Sequence, residues 1–169
     1  MALKADRNEL DVDISFFMNS TAERGQIVSI STVGSGAAMD QAGALAVIAA
    51  GGASGSETYP LGVLLNDVVD LDLTRQHINW HKDEVQKGGK VAILKKGYVV
   101  TDQVVGTPAK GKLAFMDAAG ATGKFTSVST AGKRYIVGRF VSGVDEDGYI
   151  KVEVNLPQGS DLTAGGDQV

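Results

Sequence analysis

The stretch YIKVEVNL, residues 149–156, decides the fold class. Ile150, Val152, Val154 and Leu156 alternate with Lys151, Glu153 and Asn155. A period of two is that of a strand with one buried face and one wet face. DEDG, residues 145–148, precedes it, and RYIVGRFVSGV, residues 134–144, comes before that. Two β-prone runs around a glycine-containing acidic turn read as a hairpin.

The same grammar continues upstream. FTSVS (125–129) is a strand after the turn AAGATGK (118–124), and residues 113–117 form another after a Pro-containing turn. KVAIL (90–94) and YVVTD (98–102) flank KKG (95–97), which predicts a hairpin with Gly97 at its turn. In LGVLLNDVVDLDL (61–73), a bulge or turn at Asn66 and Asp67 separates two short strands. GQIVSIS (25–31) is a strand after the loop MNSTAERG (18–25). In DVDISFF (11–17), Val12, Ile14 and Phe16 share one face of a half-buried strand. AGALAVIAA (42–50) is apolar on all sides and too short for periodicity to separate helix from buried strand. GGASGSETYP (51–60) reads as an exposed mobile loop with Pro60 at its end.

These runs predict an all-β chain: one compact β-barrel or β-sandwich domain of about nine short strands. The organisation expected is an N-terminal arm or edge strand over residues 1–18, the domain over 19–157, and a flexible polar tail over 158–169. The 22 glycines among 169 residues fit a fold with many tight turns.

The totals also exclude function classes. With no cysteine, disulfides, thiolate catalysis and cysteine zinc sites are ruled out. A net charge of −4 argues against a nucleic-acid binder that relies on phosphate contacts. A local basic patch of Lys87, Lys90, Lys95 and Lys96 remains open. The start MALKADRNEL has no apolar stretch of signal-peptide length, and AGALAVIAAGGA is too short to span a bilayer. The expectation is a chain made in a reducing cytosol and not bound to membrane.

One segment invites a chemical reading. RQHINWHKDEVQKGGK (75–90) holds both histidines and the only tryptophan. His77, His81 and Glu84 have a spacing that can bind metal on a helix. The helical zinc-protease motif needs a glutamate directly after the first histidine, and Ile78 stands there. On a strand the histidines would lie about 13 Å apart, too far for one ion. The acids of DLDLT (70–74) lack the other ligands and the central glycine of a calcium loop, and the three carboxylates of DEDG, which could attract calcium, read as solvated acids of a hairpin turn. No phosphate loop or nucleophile elbow occurs. No catalytic residue, cofactor or metal site is therefore assigned. The segment is read as a polar connector whose Arg75 and Trp80 are residue types favoured as interface anchors.

The order GGKVAILKKGYVVTD (88–102), GTPAKGKLAFMDAAGATGKFT (106–126) and YIVGRFVSGVDEDGYIKVEVNLP (135–157) resembles the capsid decoration (cement or head-stabilising) proteins of tailed bacteriophages. The resemblance covers about residues 85–157 and rests on strand and turn grammar. It implies a β-barrel virion protein on the capsid exterior, without catalysis, that clamps neighbouring major capsid subunits. It implies a homo-oligomer, as a trimer at the shell's threefold positions, whose partner is the major capsid protein. Candidate intersubunit contacts are Phe16, Phe17, Arg75, His77, Trp80 and His81. The alternatives are a tail or fibre module that binds a receptor or glycan, and a metal-dependent hydrolase using His77, His81 and Glu84.

Overall fold

The computed structural model describes residues 3, 4, 6–18, 20–30, 45–48, 60–70, 84–117, 123–128 and 135–156. Among them run thirteen strands: β1 Asn8–Asp13, β2 Phe17–Met18, β3 Ile27–Ile30, β4 Leu45–Ile48, β5 Pro60–Leu64, β6 Asp67–Val69, β7 Glu84–Gln86, β8 Ile93–Thr101, β9 Val104–Val105, β10 Leu113–Met116, β11 Phe125–Thr126, β12 Ile136–Phe140 and β13 Ile150–Asn155. The sequence suggests about nine. The difference lies in pieces of two or three residues such as β2, β9 and β11, too short to show any alternation. Eleven strands form one sheet, ordered β2-β4-β3-β5-β8-β13-β12-β10-β11-β9 with β1 on β8, and β6 pairs β7 separately. The large sheet curls into a half-barrel, so the all-β expectation holds.

β13 behaves as its sequence demands. Ile150, Val152 and Val154 are buried, and Lys151 and Glu153 are part-exposed between them. It pairs antiparallel with β12 on one side and β8 on the other. Within the ambiguous stretch the described residues 45–48 are strand: β4 pairs antiparallel with β3 and parallel with β2. Pro60 opens β5 rather than closing a loop, a place where its missing N–H is tolerated. The break at Asn66 and Asp67 is real: β5 ends at Leu64 and β6 starts at Asp67.

The hairpin expected at KKG does not exist. Residues 93–101 are one continuous strand, and Gly97 lies inside it at φ 149°. The glycine answers a neighbour instead of a turn. A Cβ at Gly97 would lie 2.1 Å from the Asn8 carbonyl oxygen.

β8 organises the molecule. On one edge it carries β1 along Ile93–Tyr98; on the other it pairs β5 at Ile93 and Leu94, then β13 from Lys96 to Thr101. Around that change of partner the wall is buried on both faces. Ile27, Val63 and Leu94 belong to one apolar cluster, with Val152, Val154 and Phe140. Their chain neighbours Val28, Leu64 and Ile93 belong to a second, with Met18, Val68 and Val91. Successive strand residues point to opposite faces, so a two-sided wall needs such uninterrupted apolar runs. Further along, the outer face of β8, β13, β12 and β10 is open to solvent.

Candidate functional site

The N-terminal segment is docked along the chain's own sheet. It runs antiparallel to residues 88–101 from end to end: Leu3 bridges Thr101, Asn8 pairs Tyr98, Asp13 pairs Ile93, and Phe17 bridges Lys90. Leu3 is 1% exposed and part of the main core cluster. Lys4 donates its backbone N–H to the Val100 carbonyl at 2.9 Å. Its ammonium reaches Asp145 in the β12–β13 turn at 3.0 Å and lies 4.2 Å from the Tyr149 ring centroid. The sequence predicts an N-terminal arm or edge strand over residues 1–18; Leu3, the one large apolar side chain between Met1 and Leu10, anchors its start in the core.

Two bulges shape β1. Between Glu9–Gly97 and Asp11–Lys96 the pairing skips Leu10, and between Asp11–Lys96 and Val12–Leu94 it skips Lys95. One extra residue on each strand restores the register, and Leu10 is left projecting, 62% exposed.

A corner follows. The Asp13 carboxylate accepts from the Ser15 N–H at 2.9 Å, from the Ser15 hydroxyl, and from the Lys95 ammonium at 2.6 Å. Lys95 and Ser15 hold this carboxyl down at about 2, from an ordinary 3.8, the Lys95 hydrogen bond contributing most. This Asx turn ends β1 and breaks the alternation read from DVDISFF. Val12 packs on the core, but Ile14 does not share its face and is 66% exposed.

Beyond the corner, Phe16 and Phe17 are half-buried. Phe16 packs against the second core cluster, with the Lys95 ammonium 5.8 Å from its ring centroid. Phe17 lies under Lys90 at 5.5 Å. Among the described residues no strand pairs the outer edge of β1. That edge offers backbone donors and acceptors, the acidic Glu9 and Asp11, and the exposed apolar Leu10 and Ile14. Sequence reasoning named Phe16 and Phe17 and missed Leu10 and Ile14. The D-x-S turn signal at 13–15 could have found Ile14.

Arg75, His77, Trp80 and His81 lie outside the described residues. Glu84, the third member of the histidine set, stands in β7 beside Asp67 of the parallel strand β6. It lines an open polar cleft of about 870 Å³ with Glu23, Asp102, Gln103 and Lys124 among others. The Gln103 amide there bridges Glu23 at 3.2 Å and Asp102 at 3.0 Å. No group of three or more His, Asp or Glu that could hold a metal occurs among the described residues. Three of the four lysines of the basic patch are taken up by separate partners, Lys95 on Asp13, Lys90 over Phe17 and Lys87 3.9 Å from Asp70, and Lys96 is exposed on β8.

A two-sided β wall with an edge strand clamped on it defines a class: an all-β module with its N-terminal strand laid along its own sheet. A family model for the structural cement proteins of phages (E217 gp24/Pam3 gp6) matches residues 9–155. The chain belongs to that family and is a phage structural cement protein. No curated protein matches it.

Proposed function

We propose that the chain binds the outer surface of a phage capsid and stabilises contacts between neighbouring major capsid subunits, without catalysing a reaction. The family match over residues 9–155 carries this reading. The outer edge of β1 suits the task. Extended segments add to a free strand edge by main-chain hydrogen bonds, and side chains on the edge select the partner. Leu10 and Ile14 supply apolar contact, and Asp11 favours a partner segment carrying lysine or arginine, whereas Glu9 is already paired with Arg7. Weak contacts repeated over a closed shell add up to tight holding.

The test is binding to expanded, undecorated capsids. Saturation at a fixed copy number per shell, with raised resistance of the shell to heat, is expected. Capsids that take up none of the protein refute the proposal. The saturating stoichiometry also reports whether copies sit at threefold positions, as a trimer would.

A further inference from the structure

The open face of the half-barrel carries a cross-strand row. Leu113 on β10 pairs Arg139 on β12, Arg139 pairs Glu153 on β13, and Glu153 pairs Tyr98 on β8. Residues directly opposite on adjacent strands project from the same face. Leu113 and Arg139 are exposed; Glu153 and Tyr98 are half-exposed. The row crosses a shallow groove of about 410 Å³, lined also by Ile136 and Asn155 and floored by Gly138. Neither Arg139 nor Glu153 has an ion-pair partner among the described residues.

We propose that this face is an isologous contact between two copies of the chain. The order apolar, cation, anion, aromatic is complementary to itself under one operation. Take a twofold axis parallel to the strands, above the sheet, and midway between β12 and β13. It sets Arg139 of each copy against Glu153 of the other, and Leu113 against Tyr98. A twofold interface requires this reciprocity: if one residue meets a second, the second meets the first. Face-to-face sheet packing at about 10 Å leaves room for side chains of this length. Arginine and tyrosine are types enriched where interfaces hold energy. Four strands spaced about 4.8 Å apart give a face well below the roughly 800 Å² per partner of a stable complex. The dimer is therefore weak, salt-sensitive, and strengthened when copies are held side by side on a surface. The unit it builds is twofold, in place of the trimer that the family resemblance implies, and it uses a face separate from the β1 edge.

Sedimentation equilibrium of the full chain up to about 1 mM, at low and high salt, tests this. The wild type is expected to dimerise at low salt. Arg139→Glu and Glu153→Arg should each weaken self-association on the order of 100-fold, because each sets like charges together twice. Mixed in equal amounts, the two variants should form a heterodimer, visible by native mass spectrometry, since each supplies the charge the other needs. Leu113→Lys should weaken association as well. Circular dichroism confirms that each variant is folded, and capsid binding measured in parallel keeps this outcome separate from the shell-binding proposal. A wild type that stays monomeric or forms trimers overturns the inference, as do single variants that associate normally or a mixture that fails to pair.

Discussion

Gly97 and the Asn8 carbonyl are in such close approach that no side chain fits between them: a Cβ on Gly97 would come within 2.1 Å of the oxygen and 3.3 Å of the Leu10 nitrogen. The glycine also holds φ 149°, outside the range L-residues readily adopt. Both facts make Gly97 the residue that admits β1 to β8. Gly97→Ala is expected to cost at least about 1–3 kcal/mol of overpacking, with backbone strain added. The loss should be local to the N-terminal strand, so hydrogen exchange should quicken at residues 8–13 before it quickens in β13. Uniform loss of protection across the sheet would contradict this.

Asp13 makes stability depend on pH in a defined window. Its folded pKa is depressed to about 2, from 3.8, chiefly by the Lys95 hydrogen bond. A depressed carboxylate stabilises the fold fully above the unfolded pKa and loses that contribution as pH falls through the folded one. The stability gap between the wild type and Asp13→Asn should be full above about pH 5, at no more than about 2 kcal/mol, and should close between about pH 4 and 2. Denaturant melts at a series of pH values measure the gap; one that is constant down to pH 2 would show that the Asp13–Lys95 link is not made.

What could be read in advance was what local pattern controls. β13 is visible because it has one buried and one wet face, so the alternation of Ile150, Val152 and Val154 is written into the chain. The break at Asn66 and Asp67 is likewise local chemistry. Gly97 was misread because glycine marks a turn and a close strand neighbour alike, and only the position of Asn8 separates the two. Residues 45–48 could not be decided because a strand paired on both edges is as uniformly apolar as a buried helix. On the candidate site, Phe16 and Phe17 stood out by residue type, whereas the exposure of Leu10 follows from a bulge in the register with β8, which no periodicity in residues 8–13 reveals.

Leu3 tests whether the N-terminal segment belongs to the fold. It is fully buried in the main cluster, which also holds Val99, Phe140 and Ile150, and the segment is tied to the sheet by the bridge to Thr101, the Lys4–Val100 hydrogen bond and the Lys4–Asp145 ion pair. Leu3→Ala should cost about 2–4 kcal/mol in a urea melt, far more than an alanine substitution in a free arm. A change below about 0.5 kcal/mol would mean the segment is not anchored.

Leu10 and Ile14 should separate binding from folding. Each is more than three-fifths exposed, Leu10 on a bulge and Ile14 on the Asx corner, so the fold gains little from either. A partner strand laid on the β1 edge would cover both, and each large aliphatic side chain so covered is worth about 1.5–3 kcal/mol. Leu10→Glu and Ile14→Glu remove that contact and put a charge where the partner would cover an aliphatic side chain. Each is expected to lower affinity for undecorated capsids by at least tenfold, the equivalent of about 1.4 kcal/mol, while Tm stays within a degree or two of the wild type. Lys or Arg at the same positions should be equally harmful if burial of the aliphatic side chain dominates. If complementarity to a basic partner dominates, the basic substitutions should be worse than Glu. Full binding by all these variants would remove the β1 edge as the docking surface while leaving the capsid-binding proposal itself open to another face of the sheet.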